Sequence, residues 1–209
     1  MPLFPYNPGS THSSVLDGIR DPDDRSAWER FFGQYAPWLR ALALRRGLRP
    51  ADAEDAVQTV LAEVAAKAPS FAYDRAKGRF RDWLAEAALY RIRDIQRQNA
   101  RRDARELPLD GTAPDPAAPG DAFAAMAEEE WLAHVRRLAL ERLRSQVSRA
   151  QFELFHAAAV EEWPAAKVAQ TYGVSRAAVY QAKHRLMPLW RDALRAVQAD
   201  LDAPPPAAP

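Results

Sequence analysis

Apolar residues recur along this chain at intervals of three and four, the period of helices with one buried face. Trp28, Phe31, Phe32, Tyr35, Leu39 and Leu42 follow Ser26-Ala27-Trp28-Glu29, a capping-box pattern. Pro37 lies inside that run and predicts a kink or a split into two helices, and Gly47 predicts its end. Pro50 suits the first turn of the next helix, in which Val57, Val60, Leu61 and Val64 make one apolar face. Ala68-Pro69-Ser70 stops it, an irregular segment runs from Phe71 to Gly78, and a third helix is expected from about Arg79 to Arg102. Helical periodicity resumes near Ala122 and continues to about Gln146. Ser148-Arg149-Ala150-Gln151 is a second capping-box pattern, opening a helix with Phe152, Phe155 and Ala159 inward. No segment reads as a strand and no repeat is visible, so the expected fold is all-α.

The segment from Trp163 to Lys183 is the most specific. Pro164 suits the first turn of a helix that carries Val168, Ala169 and Tyr172 on one face. Gly173 supplies a turn that tolerates positive φ, and Ser175 can cap the helix that follows. Val179, Ala182 and Leu186 would hold the second helix against the first, and Ala169 is small enough for a close crossing. Ala177, Tyr180, Gln181 and His184 form the opposite stripe, flanked by Arg176, Lys183 and Arg185. This is a helix-turn-helix that presents a basic helix to the major groove. The helix begun at Ser175 is expected to end near Leu186, with Pro188 opening a last one through Leu189, Trp190, Leu194 and Val197.

Of the 209 residues, 48% are hydrophobic and 27% charged, which suits one large or two small globular domains. No run is long enough and apolar enough to span a bilayer. Met1 to Ser14 lacks the basic start and apolar stretch of a secretory signal, so a cytoplasmic protein is expected. With no cysteine there is neither disulfide nor thiolate–zinc site, and His12, His134, His156 and His184 are scattered without ligand spacing. Neither a metal nor any other cofactor is expected.

The net charge of +1 conceals segregation. Residues 75–105 carry ten Lys/Arg against four acids, and residues 131–197 carry eleven against five. Between them, residues 106–130 carry seven acids and no base. Two basic modules on an acidic, proline-rich tether point to polyanion binding at both ends. The expected organisation is a tail at 1–14, a helical domain at 15–105, a flexible acidic linker at 106–121, a helix-turn-helix domain at 122–198 and a disordered tail at 199–209.

Within the first domain the helix from Pro50 carries Asp52, Asp55, Thr59 and Glu63 on the side away from its apolar face. An acidic stripe in a basic domain cannot serve the same polyanion; it suits a basic protein surface. From Phe71 to Trp83, aromatic and cationic residues interleave, a composition that stacks unpaired bases while holding phosphates. Phe80 and Trp83 are expected to pack inward with Leu84, leaving Phe71 and Tyr73 for contact. Arg91, Arg93, Arg97, Arg101 and Arg102 extend the basic character along the third helix.

Four motifs in order carry a family resemblance over residues 11–197. They are Asp21-Pro22-Asp23-Asp24 with Ala27-Trp28, Phe31-Phe32 and Tyr35-Ala36-Pro37; Asp52-Ala53-Glu54-Asp55-Ala56-Val57-Gln58; Gly78-Arg79-Phe80-Arg81-Asp82-Trp83-Leu84 with Asp94 and Arg97; and the helix-turn-helix. Together they resemble a bacterial sigma factor of the extracytoplasmic-function type within the sigma-70 family. The resemblance implies that Asp52, Glu54, Asp55 and Gln58 dock on the β′ clamp helices of core RNA polymerase. It implies that Phe71, Tyr73, Arg79, Arg81, Arg91, Arg93, Arg97 and Arg101 recognise and melt the −10 element, capturing a flipped base. The second domain would sit on the β flap and read the −35 element with Ser175, Arg176, Ala177, Tyr180, Gln181, Lys183, His184 and Arg185. The linker would thread toward the RNA exit path, and an anti-sigma factor is a further candidate partner.

Three positions, at two places, depart from the family pattern. Leu89 and Tyr90 stand where an arginine–asparagine pair is usual, and Thr59 stands where an acid is common. Phosphorylation of Thr59 would restore that charge. The implied function is non-enzymatic: a transcription initiation factor bringing core polymerase to specific promoters. The alternative is a free-standing helix-turn-helix regulator whose N-terminal helices dimerise or bind an effector. A dimer surface, however, should be apolar where Asp52, Asp55 and Glu63 are charged.

Overall fold

The computed structural model describes residues 18–21, 23–68, 79–106 and 121–202. The expected loop at Phe71–Gly78, the linker from Leu107 to Gly120 and both chain ends lie outside these residues. Every regular element among the described residues is helical. The elements are α1 (Arg25–Arg45), α2 (Pro50–Lys67), α3 (Phe80–Glu106), α4 (Asp121–Gln146), α5 (Arg149–Phe155), a π-helical turn (His156–Val160), α6 (Ala165–Tyr172) and α7 (Arg176–Asp202). None is long and apolar enough to cross a membrane. The chain divides into two compact units, residues 1–127 with 202–209, and residues 128–201.

In the first unit, α1, α2 and α3 pack against one another. The cap of α1 is Asp24, two residues earlier than the Ser26 pattern suggests. Its Oδ1 accepts the Ala27 N–H at 3.0 Å and the Ser26 hydroxyl at 2.8 Å, so Ser26 lies inside the first turn. Pro37 does not split the run: α1 is one helix to Arg45. Its ring removes the N–H that would have bonded to the Gly33 carbonyl, and both residues are exposed, so water can replace that donor.

The α1 terminus is a Schellman motif. Gly47, at φ +85°, donates its N–H to the Leu44 carbonyl at 2.9 Å, and Leu48 donates to the Ala43 carbonyl at 3.1 Å. The accompanying apolar contact drops Leu48 into a cluster with Ala43, Ala53, Ala56, Ile92 and Ile95. Pro50 opens α2 as expected, and Val57, Val60, Leu61 and Val64 are all buried. Phe31, Tyr35 and Phe80 form an aromatic knot with ring centroids 4.9 to 6.1 Å apart. Adjacent helical residues point about 100° apart, so burial of Phe31 sends Phe32 outward to 50% exposure, against its expected inward place.

In the second unit, Trp131, Val135, Ala139 and Leu143 make the buried seam of α4. Ser148 caps α5 by accepting the Gln151 N–H at 3.4 Å. Phe155 is fully buried, packed with Leu143 and Leu186 and flanked by half-buried Phe152, Ala159 and Trp190. The π-helical turn after α5 has no counterpart in the sequence reading. The wider turn lets the consecutive residues Ala157 and Ala158 both face Val168, Ala169 and Val179. It closes with the Glu161 N–H donating to the His156 carbonyl and the Trp163 N–H to that of Ala157, at 3.0 and 2.9 Å, and leaves Glu162 at φ +56°.

The final helix corrects a second proline expectation. α7 runs unbroken from Arg176 to Asp202 through Pro188. A single buried seam, Val179, Ala182, Leu186, Ala193, Val197 and Leu201, spans the proline and favours one helix. Pro188 and His184, whose carbonyl loses its partner, are both exposed, so solvent covers the missing bond. Arg142 on α4 bonds Asp200 near the far end at 3.2 Å.

Candidate protein and nucleic-acid interfaces

The acidic residues of α2 have unequal standing. Arg49 Nε donates to Asp52 Oδ2 at 3.0 Å, and Asn99 Nδ2 donates to the same oxygen at 3.0 Å. These bonds, Arg49 first, hold the Asp52 carboxyl below its ordinary value and tie the start of α2 to α3. Glu54 is paired with Arg40 of α1. Asp55 and Gln58 are exposed, and the Asp55 carboxylate has no partner among the described residues. The Thr59 hydroxyl donates to the Asp55 backbone carbonyl at 2.8 Å and sits half-buried. Glu63 is exposed on the same helix. The outward acidic face is therefore centred on Glu54, Asp55 and Gln58, with Asp52 turned to a structural contact.

The basic helix α3 is likewise divided. Arg79 forks onto Asp82 at 2.9 and 3.0 Å. Arg91 Nη1 bonds Asp94 at 2.9 Å, and Arg97 lies 3.7 Å from the same carboxylate. Arg97 and Arg101 are exposed. Arg81 and Arg93, expected to face DNA, are each only 8% exposed. Leu84, Leu89 and Ile92 fix the rotation of α3, and that rotation carries both arginines inward. The other two residues expected at −10, Phe71 and Tyr73, lie outside the described residues. Phe80 is buried and Trp83 half-buried, as expected. Tyr90, one of the two positions on α3 that depart from the family pattern, is 63% exposed. Its phase against Leu89 and Ile92 was the available signal.

In the second unit, α6 and α7 follow one another across the tight turn at Gly173. Pro164 occupies the cap position of α6, its carbonyl accepting from Lys167 and Val168 at 2.9 and 3.1 Å. The expected first-turn place falls to Ala165. Gly173 adopts φ +66°, and the Val174 N–H reaches back to the Ala169 carbonyl at 3.0 Å, the six-residue closure of a Schellman turn. Val174 packs on the cluster of Val168, Ala169 and Val179. The Ser175 hydroxyl then accepts the Ala178 N–H at 3.1 Å and caps α7. Tyr172, expected inward, is exposed.

Arg176, Ala177, Tyr180, Gln181, Lys183, His184 and Arg185 are all exposed, along with Ser175 at the cap. The unbroken helix continues this face into a shallow groove where Tyr180, Lys183 and His184 meet Met187, Pro188 and Arg191. Lys183 has a second attachment: its Nζ donates to the Ala158 carbonyl of the π-helical turn at 3.4 Å. Lys167 lies 3.7 Å over the Trp163 ring, bracing the entry to α6.

Residues 31–102, nearly all of α1 through α3, match the family model described as Sigma-70 region 2. No curated protein matches the chain. The matched span contains the acid-faced α2 and the arginine-rich α3 in one packed unit, so this third of the chain is similar to region 2 of sigma-70 factors.

Proposed function

We propose that this protein is a sigma factor of the extracytoplasmic-function type. It binds core RNA polymerase through α2, opens and recognises the −10 element with α3 and the segment before it, and reads the −35 element with α7. The observation that carries the reading is the region 2 match across a unit that exposes acids on α2 and arginines on α3. One face suits a basic protein partner and the other a phosphate backbone. The exposed stripe of α7 supports the −35 assignment. Gln181 and Tyr180 face outward for base edges, with Arg176 and Arg185 placed for phosphates. Base capture and phosphate contacts together offset the few kcal/mol needed to unstack each promoter step.

Asp55 is the sharpest test of polymerase docking, because it is exposed and takes no ion pair among the described residues. Asp55→Arg should lower affinity for purified core polymerase by about tenfold or more, in the range of a lost charge pair at an interface. Pull-down and anisotropy with labelled protein measure it, and run-off transcription from a genomic promoter library should fall in parallel. If the wild-type chain ignores core polymerase yet binds a duplex site tightly alone, it is a free-standing regulator instead.

A further inference from the structure

We infer that the groove on α7 is a binding site for a small planar aromatic acid that also carries an O–H or N–H donor. The groove holds about 490 Å³ and is lined by Tyr180, Lys183, His184, Met187, Pro188 and Arg191. A space of that size suits a small molecule. It exists because α7 does not stop near Leu186 but carries the same face on past Pro188. Occupancy of the groove is independent of any DNA role; its effect on DNA binding rests on the proposed −35 role of α7.

Different groups select different parts of the ligand. Tyr180 is 63% exposed and offers an open ring face, and Met187 and Pro188 supply an apolar floor beside it. Together they suit a flat aromatic body. Lys183 and Arg191 are exposed cations on the rim. Arg191 takes no ion pair among the described residues, and the neighbouring acid, Asp192, is paired with Arg195. The bond from Lys183 to the Ala158 carbonyl, at 3.4 Å, leaves its charge unneutralised. The rim is therefore open to a carboxylate held by charge-assisted bonds. The remaining group is the His184 carbonyl. In a helix it accepts the N–H four residues on, but that residue is Pro188, which has none. An acceptor without its helical donor thus lies at the groove, open to an O–H or N–H of the ligand. A duplex does not match this set, because phosphates and most base edges are polar and leave the apolar floor unfilled. One face of one helix also falls well short of the area that a specific protein interface buries.

The test uses the full chain and three fluorescent probes of one shape. They are 6-hydroxy-2-naphthoate; 2-naphthoate, which lacks the donor; and 2-naphthol, which lacks the charge. Titration should show saturable binding of the hydroxy acid, with each of the other two weaker by about five- to twentyfold. Arg191→Ala should weaken both acids by a similar factor and leave 2-naphthol unchanged. Pro188→Ala returns an N–H to the His184 carbonyl, so it should erase the difference between the hydroxy acid and 2-naphthoate. Circular dichroism checks that both variants stay folded. No saturable binding of the hydroxy acid overturns the site, as does equal affinity for all three probes, indifference to Arg191→Ala, or a hydroxyl preference that survives Pro188→Ala. At saturation the hydroxy acid should also displace the wild-type chain from a duplex recovered from the promoter library. Probe binding as expected, with no wild-type affinity for any duplex, overturns the −35 role and leaves the site standing.

Discussion

Gly173 sits at the junction on which the proposed DNA-reading geometry depends, and replacing it separates two opposing effects. A Cβ built there meets no atom within 4 Å, so Gly173→Ala introduces no clash. What remains is backbone preference. An L-residue with a Cβ at φ +66° costs about 1–2 kcal/mol in the left-handed region. Against this, the alanine stabilises by about 0.4–1 kcal/mol through a less free unfolded chain. The strain wins by roughly 0.5–1 kcal/mol, which lowers the melting temperature by about 1–4 °C for a chain of this size. Gly173→Asn should cost less, because asparagine tolerates the left-handed region.

Gly33 is the control. It lies inside α1, is exposed, and a Cβ there also meets nothing within 4 Å. Gly33→Ala should therefore stabilise by about 0.5–1 kcal/mol, the ordinary helical gain. Thermal melts followed by circular dichroism compare the three variants directly. If Gly173→Ala and Gly33→Ala shift the midpoint in the same direction, the turn does not depend on its left-handed glycine. If Gly173→Asn is as damaging as Gly173→Ala, the cause is something other than φ.

Two further outcomes follow from contacts in the first unit. The Asp52 carboxyl is held below its ordinary value of 3.8 by Arg49 and Asn99, so its contribution is complete above that pH and is lost as pH falls through the lowered value. The melting-temperature gap between wild type and Asp52→Asn should be constant near neutrality and close in acid; a gap that persists unchanged in acid would show that the carboxylate charge is irrelevant. A Cβ at Gly18 would lie 2.5 Å from that of Ala27, so Gly18→Ala should destabilise by about 1–3 kcal/mol. Adding Ala27→Gly should recover part of that loss in a double-mutant cycle, and strict additivity of the two changes would refute the close approach.

Several features of this fold are legible from residue type because the cause is local. Gly47, Pro50, Gly173 and Ser175 each act through their own backbone or the nearest amide, and each stands where its chemistry places it. The misread positions have non-local causes. Pro188 reads as a break and Pro37 as a kink or a break, yet neither divides its helix: both fall on solvent-facing turns where water can take the orphaned carbonyl, while the buried seam of each helix continues past them. The π-helical turn depends on Ala157 and Ala158 meeting Val168, Ala169 and Val179, a match that no local signal encodes.

The candidate site shows the same division with a functional consequence. Counting arginines on α3 locates a cationic helix but says nothing of which of them reach the surface. Once Leu84, Leu89 and Ile92 are buried, the rotation of α3 is set. Arg81 and Arg93 then turn inward while Arg97 and Arg101 remain outside. The same rotation brings Tyr90 onto one face with those two exposed arginines. The core of this domain thus decides which polar residues can meet a nucleic acid. Exchanging Leu89 for a polar residue would therefore be expected to disturb strand binding through the angle of that whole face, without touching DNA itself.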